Sequence, residues 1–379
     1  MADSIDKSVV DTKTTVELPG AEEVIQDQQE KIEKVQSEGG PVEIEMDDQG
    51  GAEISFDPNA ATPEGGEEHF ANLAEFLDEQ LLSELATTLS DKYTDYKESR
   101  ADWEQSYREG LDLLGFKYQR RTQPFRGASS VTHPVLAEAV AQFQATAYKE
   151  LLPADGPVRA QILGAVTSAK QDQANRVKDF MNYQLMDQMK EYEPEFDQML
   201  FYLPLAGSTF KKVYYDDLLG RAVSKFVHSD DLVVPYSATS LEDAEAVVHV
   251  IKMSGNELRK QQVAGFYRDI DLGEPPVVEN QLTEKKQELE GITQNGQEDM
   301  YTLLEFHIDL DLEGYEDVNP EDGEPTGIKV PYIVTVDTAN TEILSIRRNY
   351  DPNDALKKKK DYFVQFKFLP GTGFYGFGL

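Results

Sequence analysis

Cysteine is absent from the 379-residue chain. Its absence excludes disulfides, thiolate zinc fingers and cysteine nucleophiles. The five histidines are scattered, without the HExxH or His-x-His spacing of a metal site. No apolar run approaches the ~20 residues of a membrane-spanning helix. The N-terminal sequence MADSIDKSVV lacks the basic start and apolar centre of a secretory signal. These absences predict a protein that is made and used in a cytoplasm without membrane contact.

Catalytic motifs are also scarce. No GxSxG nucleophile elbow occurs, and Asp-rich runs such as residues 309–311 lack the residue order of a calcium-binding EF-hand loop. Paired acids do occur, for example Glu193/Glu195 and Asp230/Asp231, but a chain with 71 acidic residues contains such pairs by chance. We therefore expect no cofactor and no metal, and by elimination a structural or assembly protein rather than an enzyme.

Negative charge dominates the composition, with a formal net charge of −35. Such a charge disfavours tight, non-specific wrapping of DNA or of an anionic membrane. Residues 1–68 are strongly acidic and poor in large apolar side chains, which predicts a disordered acidic tail. A second acidic stretch, residues 269–324, predicts a solvated, partly mobile insertion. Within it, YTLLEFHIDLDL (residues 301–312) is predicted to form a strand.

Helical periodicity begins at residue 69 and predicts a helical region over residues 69–206. Ser90 or Asp91 is expected to cap a second helix, and the Trp103 region is expected to pack in a core or at a subunit contact. One helix follows Pro134, with an apolar face that runs from Leu136 to Leu151. A further helix is predicted from about Thr167 to Lys190.

A basic loop precedes the Pro134 helix and contains Arg120, Arg121, Phe125 and Arg126. An arginine-rich loop before a helix is able to hold phosphate, because helix N-termini attract anions. This loop has neither GxxxxGK[ST] nor GxGxxG, so a nucleotide site is disfavoured. Two interpretations remain, pairing with carboxylates of this acidic chain or contact with nucleic acid, and the first is favoured.

Strand patterns take over beyond Gly207, and residues 207–379 are predicted to form a β-rich region. TFKKVYYD and RAVSKFV surround a glycine-containing turn, which is typical of a hairpin. KVPYIVTVD and EILSIRRN are predicted to pair across residues 338–340. Ser254 and Glu257 have the spacing of a helix capping box. The expected fold class is α+β, with a helical segment followed by a mixed, mostly antiparallel sheet region.

Several collinear blocks together resemble one protein family. The blocks are RRTQPFRGASSVTHPVLAEAVAQFQATAYKELLPADGPVRAQILG, LPLAGSTFKKVYYDDLLGRAVSKFVHSDDLVVPY, SGNELRKQQVAGFYRD and FVQFKFLPGTGFYGFGL. They resemble the N-terminal part of the portal, or head-to-tail connector, proteins of short-tailed bacteriophages. The resemblance covers about residues 70–379 and leaves out the acidic tail.

The resemblance implies a non-enzymatic subunit of a ring, expected to contain twelve copies, at one capsid vertex. Such rings nucleate head assembly with coat and scaffolding proteins and dock the large terminase subunit. They conduct double-stranded DNA during packaging and ejection, and later bind tail or adaptor proteins. The expected location is the virion, after assembly in the host cytoplasm. The region present here corresponds to the outer, wing-like part of such a subunit.

Closed rings need interfaces in which one face of a subunit meets a different face of its neighbour. Arg120, Arg121, Phe125 and Arg126 are therefore the candidate subunit-interface residues. The family's chain continues past GFYGFGL, and this apolar, glycine-rich ending predicts that the sequence is truncated. Two alternatives stay open. One is an acidic glycan- or phosphate-processing hydrolase, which requires a concave pocket with two carboxylates of opposed pKa shifts. The other is a virion scaffolding or adaptor protein without a channel.

Overall fold

The computed structural model describes residues 43–46, 52–55, 69–114, 125–127, 133–162, 164–216, 219–273, 285–286, 300–318, 324–354, 356–371 and 373–379. The chain forms two compact units, residues 1–69 and residues 70–379. In the first unit, strands β1 (Glu43–Met46) and β2 (Ala52–Ser55) pair antiparallel. Most of the segment for which a disordered tail is predicted lies outside the described residues. Helices and antiparallel sheets together confirm the α+β class.

Six α-helices belong to the described part of the second unit. They are α1 (Glu79–Ser99), α2 (Ala101–Leu113), α3 (Val135–Leu151), α4 (Ser168–Tyr183), α5 (Tyr192–Ala206) and α6 (Gly255–Val263). A π-helical turn, Gln184–Gln188, follows α4. Local chemistry sets several boundaries, since Asp78 and Thr167 cap α1 and α4 through their side chains. The predicted Ser254/Glu257 capping box is present at the start of α6.

The predicted helix start at Ser90 or Asp91 is wrong. Helix α1 runs through both residues, and the break between α1 and α2 lies at Arg100, whose φ of −105° and ψ of 11° depart from helical values. The Arg100 side chain is buried and donates hydrogen bonds to backbone carbonyls of the β-rich region. The chain therefore turns between α1 and α2 at the residue that makes these tertiary hydrogen bonds, and not at a local helix cap.

A five-stranded antiparallel sheet holds the largest core. Its order is β5 (Leu232–Val233), β6 (Ala246–Ser254), β7 (Met300–Leu310), β8 (Val330–Asp337) and β9 (Glu342–Arg348). One face packs against α1, where Leu82, Ala86 and Leu89 meet buried residues such as Phe306 and Val334. The β8–β9 hairpin confirms the pairing predicted across residues 338–340. Strand β7 confirms the strand predicted at residues 301–312. It belongs to the core, so the prediction of a solvated insertion is wrong for this part of residues 269–324.

A three-stranded antiparallel sheet of order β10-β3-β4 completes the β-rich region. It consists of β3 (Ser208–Asp216), β4 (Arg221–Val227) and β10 (Phe363–Lys367). The β3–β4 hairpin was predicted from its sequence, whereas the pairing of β10 with β3 joins segments about 150 residues apart. Phe210, Leu232 and Phe374 are buried in one cluster, which ties the two sheets together.

Glycine at position 207 ends α5 in a left-handed conformation, with a φ of 74°. A Cβ built there would lie 2.2 Å from the carbonyl oxygen of Gly376, so only glycine fits at this crossing of two backbones. Gly376 also donates its N–H to Ser208 Oγ at 2.7 Å. Residues 373–379 are thereby held against the junction between α5 and β3.

None of the helices in the described ranges combines the length and the hydropathy that crossing a bilayer requires.

Candidate subunit interface

Two of the four predicted interface residues lie within the described residues. Phe125 is 67% exposed, and Arg126 beside it is also exposed. Gly127 follows with a φ of 91°, which permits a tight turn that other residues rarely adopt. Arg120 and Arg121 lie outside the described residues. The basic loop thus presents an aromatic ring and a guanidinium to solvent, and its role in a subunit contact stays a prediction.

Helix α3, which follows the loop, packs on one side only. Val140 is fully buried against Tyr107 and Leu111 of α2. Phe143 and Ala147 pack on a neighbouring cluster that includes Leu200 of α5. The apolar face predicted from Leu136 to Leu151 therefore packs from Leu136 to Ala147, and the prediction is wrong at Leu151. Val135 at the start of α3 and Leu151 at its end are both exposed.

Arg100 is the most heavily hydrogen-bonded buried cation of the described residues, and sequence reasoning missed it. Its guanidinium donates to the carbonyl oxygens of Ser229 at 3.0 Å, Asp230 at 2.6 Å and Leu232 at 2.9 Å. It also donates to Tyr375 Oη at 3.0 Å and pairs with Glu104 at 2.9 Å. This one side chain joins α2, the β4–β5 loop and the last described segment. No local sequence pattern signals it, because its partners are distant carbonyls.

A second buried ionic cluster joins the two sheets. Lys212 of β3 donates to both carboxylate oxygens of Glu305 on β7, at 2.6 and 2.7 Å. His307 Nε2 lies 2.8 Å from the same carboxylate, and His249 Nδ1 lies 3.8 Å away, too far for a hydrogen bond. Burial alone would raise the pKa of Glu305. Lys212 and the two histidines outweigh it and hold that pKa well below its usual range. The arrangement is an ion pair that fastens two sheets.

Asp230 and Asp231 are the one acidic pair singled out from the sequence that has opposed pKa shifts. Burial and the neighbouring Asp230 charge raise the pKa of Asp231 to about 7. Burial also disfavours ionised Asp230, but Lys286 and His228 outweigh it and lower that pKa. Both Asp230 oxygens accept from Lys286 Nζ at 2.9 Å. Asp230 is buried with this cation, an arrangement typical of a structural ion pair and not of the open, concave pocket that the hydrolase alternative requires.

Neither of two well-formed cavities in the described part of the chain is lined by Asp230 or Asp231. The larger, about 530 Å³, is bounded by Trp103 and Tyr107 of α2, by Tyr236 and by residues 373–379. The smaller, about 300 Å³, contains His307, Lys359 and several acids. Within the described residues, no group of three or more His, Asp or Glu side chains is placed to hold a metal ion.

The sequence GTGFYG at residues 371–376 has the GxGxxG spacing of a dinucleotide-binding loop. A phosphate-binding loop of that kind leads from a strand into a helix N-terminus. Here the glycines follow β10, an edge strand of an antiparallel sheet. Phe377, just after them, forms an isolated antiparallel bridge with Leu369, just before them. Gly376 lies instead at the backbone crossing with Gly207, where a Cβ would lie 2.4 Å from the Gly207 carbonyl oxygen.

No model of a known protein family matches the chain, and no curated protein is significantly similar to it.

Proposed function

We propose that this chain is a subunit of a bacteriophage portal ring, which occupies one capsid vertex and forms the channel for DNA packaging and ejection. The observation that carries the proposal is the set of collinear sequence blocks that resemble portal proteins. The first block spans the basic loop and α3, and the second runs from the end of α5 through β5. The proposed role is structural and not enzymatic.

Surface chemistry supports self-association. Phe125, Val135 and Leu151 are exposed around the basic loop and α3. Exposed apolar side chains beside cations are typical of protein interfaces, where aromatic residues and arginine are enriched. A strongly acidic chain has many carboxylates that a neighbour's Arg126 is able to meet. Net negative charge also suits a channel through which DNA slides, because repulsion prevents tight binding to the duplex.

The proposed partners follow from the same role. They are further copies of the chain in a ring of twelve, coat and scaffolding proteins, the large terminase subunit and tail or adaptor proteins. Double-stranded DNA passes through without sequence-specific binding. The proposed location is the capsid vertex of the virion, reached after assembly in the host cytoplasm.

Negative-stain microscopy of the full chain tests the proposal. Rings with a central hole are expected, whereas a scaffolding or adaptor protein would give particles without a hole. Monomers of the full-length protein at micromolar concentration would overturn the proposal.

A charge reversal tests the basic loop separately. Arg121→Glu with Arg126→Glu should lower ring yield about tenfold or more. Arg259→Glu with Lys260→Glu makes the same charge change on exposed residues of α6 and serves as the control. Rings of normal size and yield in the loop variant would remove these arginines from the interface.

The hydrolase alternative retains one favourable observation, the opposed pKa shifts of Asp230 and Asp231. Its direct test is turnover of chromogenic glycosides and phosphate monoesters by the purified chain. Turnover that Asp231→Asn abolishes would favour the enzyme, and the portal proposal expects none.

A further inference from the structure

Helix α4 is the least packed helix of the described residues. None of its residues is buried, and among the described elements it packs closely only on the π-helical turn that follows it. Its tether to the rest of the unit is Asn182, whose side chain accepts from the Val158 N–H at 2.9 Å and donates to the Val158 carbonyl at 3.3 Å. The helix is therefore an arm attached near its C-terminal end.

The apolar side chains of this arm lie on the side opposite the tether. Successive residues are rotated by about 100°, so Val177 and Met181 form one row and Phe180 and Tyr183 the adjacent row. Their exposed fractions are 48%, 42%, 58% and 50%, respectively. Asn182, which holds the arm, projects from the polar side. The helix is thus attached by its polar side and presents its apolar side outward.

A helix whose apolar face is exposed to water has little to stabilise it. An isolated helix of about 16 residues is marginal in water, and most helices in proteins are stabilised by packing of an apolar face. Val177, Phe180, Met181 and Tyr183 form one exposed apolar patch of the type that marks an interaction surface. We call these four residues, with the cations Lys170 and Arg176 on the same side, the arm face.

Charge indicates what covers the arm face. Residues 115–190 contain 10 Lys or Arg and 6 Asp or Glu, a net of +4 in a chain whose total is −35. Residues 70–114 contain 4 Lys or Arg and 11 Asp or Glu, a net of −7. On α1, Glu84, Asp91, Asp95 and Glu98 are all exposed and fall on one helical side, since they are separated by seven, four and three residues. The chain therefore presents both an apolar, basic helix face and an acidic one.

We infer that the arm face of α4 packs against the exposed acidic side of α1 in a second copy of this chain. The inference rests on the proposed ring, and it names the surfaces that meet. The two surfaces are different, so the contact is heterologous, and repetition around an axis closes a ring without a two-fold dimer. Lys170 and Arg176 would pair with α1 carboxylates, while Val177 and Phe180 would be withdrawn from water.

A matched pair of variants tests the arm face. Val177→Asp with Phe180→Asp places two carboxylates on it, and Gln171→Asp with Asn175→Asp places two on the opposite, polar side of the same helix. Both variants change the net charge by −2. Mass photometry should show at least a tenfold loss of rings for the first variant and near-normal rings for the second. Circular dichroism checks that each variant is folded, which is expected because all four positions are exposed.

A charge exchange tests the choice of α1. Lys170→Glu with Arg176→Glu should reduce assembly, and so should Asp91→Lys with Asp95→Lys. A single chain with all four substitutions should recover a large part of the lost assembly, since opposite charges again face each other. Absence of recovery would remove α1 as the partner surface.

The outcomes separate this inference from the proposed function. Normal rings from the Val177/Phe180 variant would overturn the arm contact and leave the portal proposal standing. The wild type could instead form oligomers without a central hole. If the Val177/Phe180 variant abolished them, the arm contact would be supported and the ring overturned. A wild-type chain that stays monomeric would overturn both.

Discussion

The five-stranded sheet and the α4 arm contain similar apolar side chains, but the sheet buries them and the arm exposes them. In the five-stranded sheet, Leu304, Phe306 and Val334 have essentially no exposed surface, because α1 covers that face. In the α4 arm, Val177 and Phe180 are about half exposed. The residue types match, and the periodicity of each segment is regular. What differs is whether another part of the chain covers the apolar face.

The difference has an energetic meaning. Apolar surface removed from water stabilises a fold by roughly 25 cal/mol per Å². The sheet gains this within one chain. The arm gains little of it within the described part of the chain, and under the proposed contact its apolar residues would contribute to assembly rather than to folding. The proposal thus assigns stability and association to different segments of one sequence.

The largest expected effect comes from removing a buried phenylalanine side chain. Phe306→Ala leaves a cavity between β7 and α1 and should lower the free energy of unfolding by about 3–5 kcal/mol. Urea unfolding followed by circular dichroism measures it. A loss below about 1 kcal/mol would mean that the sheet core is loosely packed and that the contrast with the arm is false.

Removal of the cation that joins the sheets comes next. Lys212→Met leaves Glu305 buried with only histidine partners and should cost about 3 kcal/mol. The exposed pair Lys92–Glu245, at 2.9 Å, is the control, and Lys92→Met should cost at most about 1 kcal/mol. Adding Glu305→Gln to Lys212→Met should recover part of the loss. Equal costs for the two lysines would contradict a buried ion pair.

Acid should act on the packed region through His228, whose ring contacts Tyr202 and Phe226. Burial and then Lys286 lower the pKa of His228 from 6.5 to about 4. Between these values the unfolded chain binds a proton that the folded chain does not, so stability falls as the pH drops from 6.5 to 4. His228→Gln should remove this component, which is on the order of 2–3 kcal/mol at pH 4. A stability difference between wild type and variant that is flat with pH would contradict it.

The smallest expected effect belongs to the arm. Phe180→Ala, measured in dilute protein below the concentration of assembly, should change the free energy of unfolding by less than about 0.5 kcal/mol. Phe306→Ala and Phe180→Ala remove the same atoms, yet their losses of free energy of unfolding would then differ at least sixfold. A large loss for Phe180 would show that the arm face is covered within the chain.

Features set by neighbouring residues were predictable from the sequence. The stop at Gly207, the capping box of Ser254 and Glu257, and the β8–β9 hairpin each depend on a few adjacent side chains, and the structure confirms all three. The position of the break between α1 and α2 was predicted wrongly, because Arg100, where the break lies, bonds to carbonyls about 130 residues away. The β10–β3 pairing was equally beyond local pattern.

The candidate interface was predictable only in part. Composition singled out the basic loop, and Phe125 and Arg126 are exposed there. Periodicity gave the apolar rows of α3 and α4, but it carries no information on what covers them. Val140 is buried and Val177 is not, although both occupy the apolar row of an amphipathic helix. That distinction depends on tertiary structure and on partners.

The crossing of Gly207 and Gly376 also has a consequence for the order of events during synthesis. The N–H of Gly376 bonds to Ser208, 168 residues earlier in the chain, and β10 pairs with β3 over a comparable separation. Contacts of such long range form late, because a long loop must close before they gain anything. On the ribosome, the β3–β4 hairpin must wait with an open edge until residues 363–379 emerge. Unpaired edges of this kind are prone to wrong pairing, so slower translation upstream of residue 363 should lower the yield of folded protein.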